Sequence, residues 1–473
     1  MKLRQWQSEC VERALDHFEA SNKHFLCLAT PGAGKTVMAA EIAGRLHEQN
    51  LIDFVLCFSP SINVSQSIQI TFSHRFNCRF DGVIGAIGCS YTYQNMLFFK
   101  SDFWQILKHN RVLVIFDEIH HCAGTTPENA NAWGEEIILN IQSQAQYTLA
   151  LTGTPWRSDN APIVLSRYLD PDRQIQCDYV YGLKEAVRDS VCRNPKIVLI
   201  DNEKLSVTNG DNQTKTFTSF KDLLNDSFIS YQSIITNDTA IRYILSLGCK
   251  KLSEIRQSNP NAGGLVVASS IEHASHIIRI LRDEFYQTAE LVTYKQPSPS
   301  ETIDQFRCSH TEWIVSIGMV SEGTDIPRLQ VCCHLSKVKT ELYFRQILGR
   351  ILRVNNAITQ EAWLYTFADP QLTDFAHRIE QELPDIPVII KETIDEITSE
   401  QVTLKRNRDK HALQTTATTT LDIGFDLTSS ESRSDQAKQL TSNQVLKNST
   451  SLCSFEFLGG FREKVITTFD SPF

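Results

Sequence analysis

The segment Ala29-Thr30-Pro31-Gly32-Ala33-Gly34-Lys35-Thr36 constrains this chain more than any other. It follows an apolar run, Phe25 to Ala29, and precedes a stretch in which Met38, Ile42 and Leu46 recur at helical spacing with Ala39 and Ala43 between them. Another apolar run, Asp53 to Ser59, comes next. The pattern predicts a strand, a helix and a strand, with small residues at the first turn. Small residues there let backbone N–H groups wrap an anion at the positive end of the helix. The spacing matches a phosphate-binding loop, with Ala29 in place of its first glycine. Thr30, Pro31, Gly32, Ala33 and Gly34 would form the cradle. Lys35 is the candidate to neutralise the β- and γ-phosphates of a nucleotide, and the Thr36 hydroxyl is the candidate to bind Mg²⁺.

The alternation continues. Val112 to Phe116 and Tyr147 to Gly153 read as buried strands of a parallel sheet, and Gly264 to Ser269, Trp313 to Gly318 and Val331 to Ser336 read as strands of a second one. At 473 residues the chain exceeds one ordinary domain of roughly 100–200 residues, and 41% hydrophobic content supports more than one core. The expectation is α/β: two tandem RecA-like parallel-sheet lobes with a C-terminal extension. The first lobe is expected over 1–195, a polar connection with an irregular insertion over 196–250, the second lobe over 251–400, and an extension over 401–473. That extension is polar and Ser/Thr-rich, with apolar patches near Phe425 and Phe455 to Phe461, and reads as flexible unless a partner orders it.

A formal net charge of -9 excludes a uniformly basic nucleic-acid binder, so any polynucleotide contact must come from a local groove. Thirteen cysteines form no C-x-x-C pair, and the adjacent Cys332 and Cys333 have the wrong spacing for a zinc knuckle, so reduced, buried thiols are expected. The N-terminal MKLRQWQSEC lacks the apolar core of a signal peptide, and no apolar run approaches the roughly 20 residues of a membrane span. A cytoplasmic protein without a membrane partner is expected.

Asp117-Glu118-Ile119-His120 follows directly on the apolar run Val112 to Phe116, which puts two carboxylates at the carboxyl end of a strand, where α/β sheets place their ligands. Asp117 would hold Mg²⁺ and Glu118 would orient and polarise an attacking water. His121 has no assignable role and reads as structural. Far downstream, Gln346, Gly349, Arg350 and Arg353 form Q-x-x-G-R-x-x-R in an expected helix from Glu341 to Leu352; positions 346, 350 and 353 fall on one helical face.

These ordered motifs resemble the superfamily 2 helicases of the DExH type, and are most similar to the branch containing type III restriction enzyme motor subunits. The resemblance spans roughly Leu3 to Arg353. It implies that Gln7 of the segment Leu3 to Gln7 reads the adenine edge, supported by Trp6 or Arg4. It also implies that Thr152 and Thr154 couple the nucleotide site to lobe movement, and that Arg350 and Arg353 act as arginine fingers on the γ-phosphate, with Gln346 beside them. In the segment Ser321 to Pro327, Gly323 and Thr324 would touch a phosphate of the tracked strand and Asp325 would lie near the ribose of ATP or the finger arginines. Ser59 with Gln66, Thr92 with Gln94, and Ser269 stand where the family has further strand contacts, although helix capping explains hydroxyl residues there equally well.

The resemblance therefore implies a nucleic-acid-stimulated ATP hydrolase that uses Mg²⁺ and moves along a strand, DNA in preference to RNA. It also implies a motor role in a DNA-defence or restriction-like complex whose nuclease or methyltransferase is another subunit; Pro384 to Glu392 lacks the acid a nuclease motif needs before its lysine. The alternative is a nucleotide-switched nucleic-acid sensor without processive unwinding. A metabolic P-loop kinase gives no reason for the helix that carries Arg350.

Overall fold

Apolar runs flanked by turn residues form the strands of two sheets in a computed structural model that describes residues 2–154, 157, 159, 161–169, 174–208, 213–318, 326–355, 360–381, 388–390 and 454–467. The first sheet contains β1 (His24–Ala29), β2 (Phe54–Ser59), β3 (Gly88–Thr92), β4 (Val112–Phe116), β5 (Tyr147–Thr152) and β6 (Tyr179–Tyr181). Their spatial order is β3-β2-β4-β5-β1-β6 and every pair is parallel. Every residue of β4 and β5 is buried, as a sheet covered on both faces requires. On one face α1 (Gln5–Glu19) packs against α2 (Lys35–Glu48), and α2 against α3 (Ile62–Phe76). The α2 residues facing the sheet are the ones whose spacing predicted the helix, with Met38, Ile42 and Leu46 buried.

This strand order has a direct consequence for the site. Because β5 lies between β1 and β4, the turns after these three strands stand side by side at the carboxyl edge of the sheet.

After β6 the chain forms the short helix α4 (Leu183–Arg188) and then crosses to the second sheet. That sheet contains β7 (Asn194–Asn202), β8 (Gly263–Val267), β9 (Ala289–Val292), β10 (Trp313–Ser316), β11 (Leu329–His334), β12 (Glu361–Phe367) and β13 (Phe461–Thr467). Its order is β9-β10-β8-β11-β12-β7-β13; β13 alone runs antiparallel to its neighbour. The expected α/β architecture of two tandem parallel-sheet lobes is the one the chain adopts.

Two expected boundaries are corrected. The stretch 196–250 is not a polar connection: β7 pairs with β12 over seven positions, and α5 (Asp238–Ser258) packs on β11 and buries Ile241, Ile244, Leu245, Leu252 and Ile255. Only the hairpin of Leu205–Thr208 with Thr214–Phe217 answers to an insertion. The extension is not uniformly peripheral either. Ser454–Phe457 adds a strand to that hairpin, and β13 closes the edge of the second sheet against β7. Pairing β13 satisfies the backbone groups that β7 would otherwise present at an open edge. The patch at Phe425 lies outside the described residues, as do most of 384–392.

Ten of the described cysteines are buried, Cys78 and Cys308 are exposed, and none of the described ones is bridged. No helix among the described residues is long and apolar enough to cross a membrane.

Ile466 on β13 is 2% exposed and joins the core of the second lobe. Ile466→Ala should therefore lower unfolding stability by about 2–5 kcal/mol. An unchanged denaturant midpoint would show that this strand does not dock.

Candidate functional site

The turn after β1 is built by backbone conformation. Gly32 and Gly34 have φ of 83° and 96°, the left-handed region that a side chain disfavours. At Gly34 a side-chain carbon would also fall 2.8 Å from the Gln7 amide nitrogen. Gly34 is the N-cap of α2; no side chain caps this helix and no acid occupies its first turn. The positive end of the helix dipole is thus met neither by a side-chain cap nor by an acid of its own first turn.

Lys35, the first residue of α2, is buried. Its ammonium donates to the Ala29 carbonyl at 3.1 Å and pairs with Glu118 at 3.2 Å. Asp117 and Glu118 leave the end of β4, where the Asp117 amide donates to the Phe58 carbonyl and the buried Tyr93 hydroxyl donates to the Asp117 carbonyl at 2.7 Å. Glu118 has φ of 52°, and its carboxylate accepts from the Gly153 amide at 3.1 Å. Burial, with the Glu118 charge beside it, pushes Asp117 up to about 7 against the pull of Lys35. Burial also acts upward on Glu118, but Lys35 and the Gly153 amide outweigh it and hold that carboxyl down at about 2. The two acids are driven apart, one toward the proton and one toward the charge.

His120 is 2% exposed, and burial pushes its imidazole down to about 3, so the ring is neutral at ordinary pH. Its Nδ1 lies 3.0 Å from the Thr152 hydroxyl and 3.3 Å from that of Thr154. Thr152 in turn donates to the Thr154 carbonyl at 2.6 Å. The turn after β4 is thereby stitched to the turn after β5, and Arg157 donates to the His120 carbonyl from outside. The sequence places His120 in the acidic motif but does not show that it joins the two threonines.

The second lobe completes the cavity. Gln346 and Arg350 lie on α6 (Glu341–Ile351). Arg353 lies beyond its end, which corrects the expectation of a single helical face for all three. Arg353 instead forms a backbone bridge with Cys192, and a side-chain carbon at Gly32 would lie 3.3 Å from the Arg353 Cγ. Gly349 brings α6 against the same turn, since a carbon added there would lie 2.7 Å from the Pro31 Cβ. The result is one cavity of about 380 Å³. Gly32, Gly34, Lys35, Thr36, Asp117 and Glu118 of the first lobe line it together with Gln346, Arg350 and Arg353 of the second. This size falls in the usual range for ligand pockets, roughly 300–1,000 Å³.

Four cationic groups, Arg4 included, and two carboxylates converge on this space. Such a set suits a polyanion together with a hard divalent cation. Thr36 and Asp117 line the cavity and offer oxygen donors of the kind that cation would need.

The segment expected to read adenine packs against the turn after β1. Gln7 is 3% exposed; its amide donates to the Gly34 carbonyl at 2.9 Å and accepts from the Arg4 amide at 2.8 Å. Arg4 donates to the Ala33 carbonyl at 2.7 Å. Trp6 is buried, stacked on Tyr181 at 4.7 Å. Here Gln7 and Trp6 brace the turn, and Arg4 is the member of the trio that lines the cavity.

The first 157 residues match the family model described as the Type III restriction enzyme, res subunit, and residues 248–355 match the Helicase conserved C-terminal domain. The chain thus carries the two domains of a superfamily 2 helicase and is similar to the Res-like branch. An uncharacterised protein of Mycobacterium leprae is 29% identical over 399 residues, covering 80% of this chain and 64% of its own length. The chain thus spans just under two thirds of that relative. The DNA 3'-5' translocase XPB2 of Sulfurisphaera tokodaii is 24% identical over 75% of this chain and 79% of its own. Among solved structures, a fragment described as an HsdR subunit of a type I restriction enzyme from Vibrio vulnificus shares the fold, with a TM-score of 0.54 and 17% identity over 82% of this chain and 68% of that one.

The strand contacts that the superfamily 2 resemblance implied are mostly turned inward. Ser59 is fully buried and its hydroxyl donates to the Ser61 and Tyr91 carbonyls. Thr92 caps a helical turn through Asn95 at 2.8 Å. The Ser269 hydroxyl meets His273 Nδ1 at 2.8 Å and accepts from Gln232 at 3.2 Å. These three fix strand ends, as capping chemistry allows, and do not offer free hydroxyls. Gln66 and Gln94, beside the first two, are exposed. Ser321, Gly323, Thr324 and Asp325 lie outside the described residues.

Tyr93→Phe removes the hydrogen bond to Asp117 and leaves a buried carbonyl without it. Unfolding stability should fall by about 1–3 kcal/mol in a urea titration. A variant as stable as the parent would mean the hydroxyl does not hold this turn.

Proposed function

We propose that this chain is an ATP-dependent nucleic-acid translocase or helicase acting on DNA in preference to RNA. One observation carries the reading: Lys35 on one lobe and Arg350 and Arg353 on the other line the same cavity. The cradle amides of Gly32 and Gly34 and the Lys35 ammonium hold the triphosphate, with Lys35 exchanging Glu118 for the phosphate oxygens. Freed of that pairing, the ionised Glu118 orients the attacking water and accepts its proton. Thr36 and Asp117 would hold Mg²⁺, which would supply charge neutralisation on the phosphate oxygens. Arg350 and Arg353 counter the charge on the transferred group, with Gln346 beside them.

Motion follows from the same geometry. Two cations reach the nucleotide only when the lobes close, so hydrolysis and release bias the lobes between two arrangements. A strand gripped by its backbone at the exposed Gln66 and Gln94 needs no strongly basic surface, which reconciles the net charge of -9 with a polynucleotide substrate. The restriction-subunit family match supports a motor that serves a nuclease carried elsewhere in a defence assembly.

Turnover measured on single-stranded DNA, duplex DNA, forked DNA and RNA at stated salt tests the substrate, and strand displacement separates a motor from a sensor. Equal turnover with and without every nucleic acid would remove the reading. Glu118→Gln should retain ATP binding and abolish hydrolysis; normal hydrolysis would exclude Glu118 as the water-orienting group. Arg353→Ala should lower kcat by about 10³ while ATP affinity changes little. An unchanged kcat would place Arg353 outside the reaction.

A further inference from the structure

Arg193 is the first residue of the second lobe's path after the crossover, and its side chain is fully buried. Burying a guanidinium is costly unless its donors are met. Arg193 is met by carbonyl oxygens: Nη1 donates to Leu329 at 2.6 Å and to Ile351 at 3.2 Å, Nη2 to Pro327 at 2.9 Å, and Nε to the Gln360 side chain at 3.3 Å. Its backbone amide donates to the Leu352 carbonyl at 2.7 Å. Burial draws the guanidinium down to about 10, which leaves it charged at ordinary pH.

These acceptors belong to three pieces of chain that converge on the nucleotide cavity. Pro327 lines that cavity and follows the Ser321 to Asp325 segment. Ile351 and Leu352 end α6, whose terminal carbonyls carry the negative end of the helix dipole and favour a cation there. Gln360 donates in turn to the Asn355 carbonyl at 2.7 Å, just beyond Arg353. The residue before Arg193 completes the connection: Cys192 forms the backbone bridge with Arg353, its thiol contacts the Pro31 carbonyl at 3.6 Å, and its amide donates to Ala186 on α4. Arg353 therefore emerges from a loop clamped on both sides by groups bonded to Arg193.

We propose that Arg193 is a positioning residue which, from the strand joining the lobes, fixes the main chain of Arg353 against the Pro31–Gly34 turn and so sets the finger for phosphoryl transfer. This rests on the hydrolytic reading of the cavity. Only arginine presents a rigid fork of donors that can meet three carbonyls and an amide oxygen at once; lysine keeps the charge but not the fork. Displacing Arg353 by even about an ångström should cost turnover roughly 10–100-fold without weakening ground-state binding in proportion.

The experiment is a double-mutant cycle on the full chain with saturating nucleic acid. Arg193→Lys should lower kcat roughly 10–100-fold with the KM for ATP within about twofold of the parent. In the Arg353→Ala background, Arg193→Lys should add no further loss beyond about twofold, because the finger it sets is gone. Full additivity of the two losses, or an undiminished kcat in Arg193→Lys, overturns the proposal. If Arg193→Lys fails to fold, Gln360→Ala removes one bonded partner at the rim and must show the same non-additivity with Arg353→Ala. Normal kcat in Arg353→Ala would instead sink the finger reading itself, an outcome distinct from additivity.

Discussion

The ion pair of the buried Lys35 with the partly exposed Glu118, 3.2 Å apart, is the interaction around which the first lobe is arranged. Charges withdrawn from water in this way stabilise each other only when their remaining hydrogen-bonding capacity is met. Lys35 uses the Ala29 carbonyl at the end of β1, and Glu118 uses the Gly153 amide at the end of β5. Three strands are thus tied through one ion pair, and the tie exists because β5 intervenes between β1 and β4. The same order that makes the sheet parallel makes the charges meet.

The second lobe's side of the cavity depends on a different kind of economy. A parallel sheet cannot continue from one lobe to the next by a hairpin, so the chain must cross between them, and here it crosses beside the cavity. The short stretch from α4 to β7 touches Pro31 through Cys192 and the end of α6 through Arg193. A connection that lies against both the Pro31–Gly34 turn and the loop carrying Arg353 is placed to feel any change in their separation. Glycine at 349 permits the remaining close approach, where any larger residue would press α6 away from Pro31.

The local motifs were legible because their chemistry depends on contiguous residues. A Gly-rich turn between strand and helix, and paired acids at a strand end, announce themselves within ten residues, and the structure brings Lys35, Asp117, Glu118, Arg350 and Arg353 to one cavity. What sequence did not disclose is longer in range. The run Ile197 to Ile200 was diluted by the polar residues after it, so β7 was absorbed into a supposed connection; its burial comes from β12, more than a hundred residues on. The strand from Phe461 could not be placed because its partner, β7, had itself been missed. Gln7, Ser59, Thr92 and Ser269 were read for their hydrogen-bonding capacity, but capacity says nothing of which partner takes it. Here the protein's own backbone and caps do. Arg193 carried no local signal at all, since an arginine in a polar stretch reads as solvated surface.

Glu118 shows why such a site must be held from several sides. Its φ of 52° places a residue with a side chain in left-handed backbone, at a cost of about 1–2 kcal/mol. Strain of this kind persists only where the surroundings over-determine the conformation. They do so here through the Phe58 carbonyl on the Asp117 amide, the Tyr93 hydroxyl on the Asp117 carbonyl, the Gly153 amide on the Glu118 carboxylate, and the His121 amide on the Glu118 carbonyl. Relaxed backbone would carry the carboxylate away from β5 and from Lys35. The strained turn aims it across the end of the neighbouring strand, where the Gly153 amide and the Lys35 ammonium meet it.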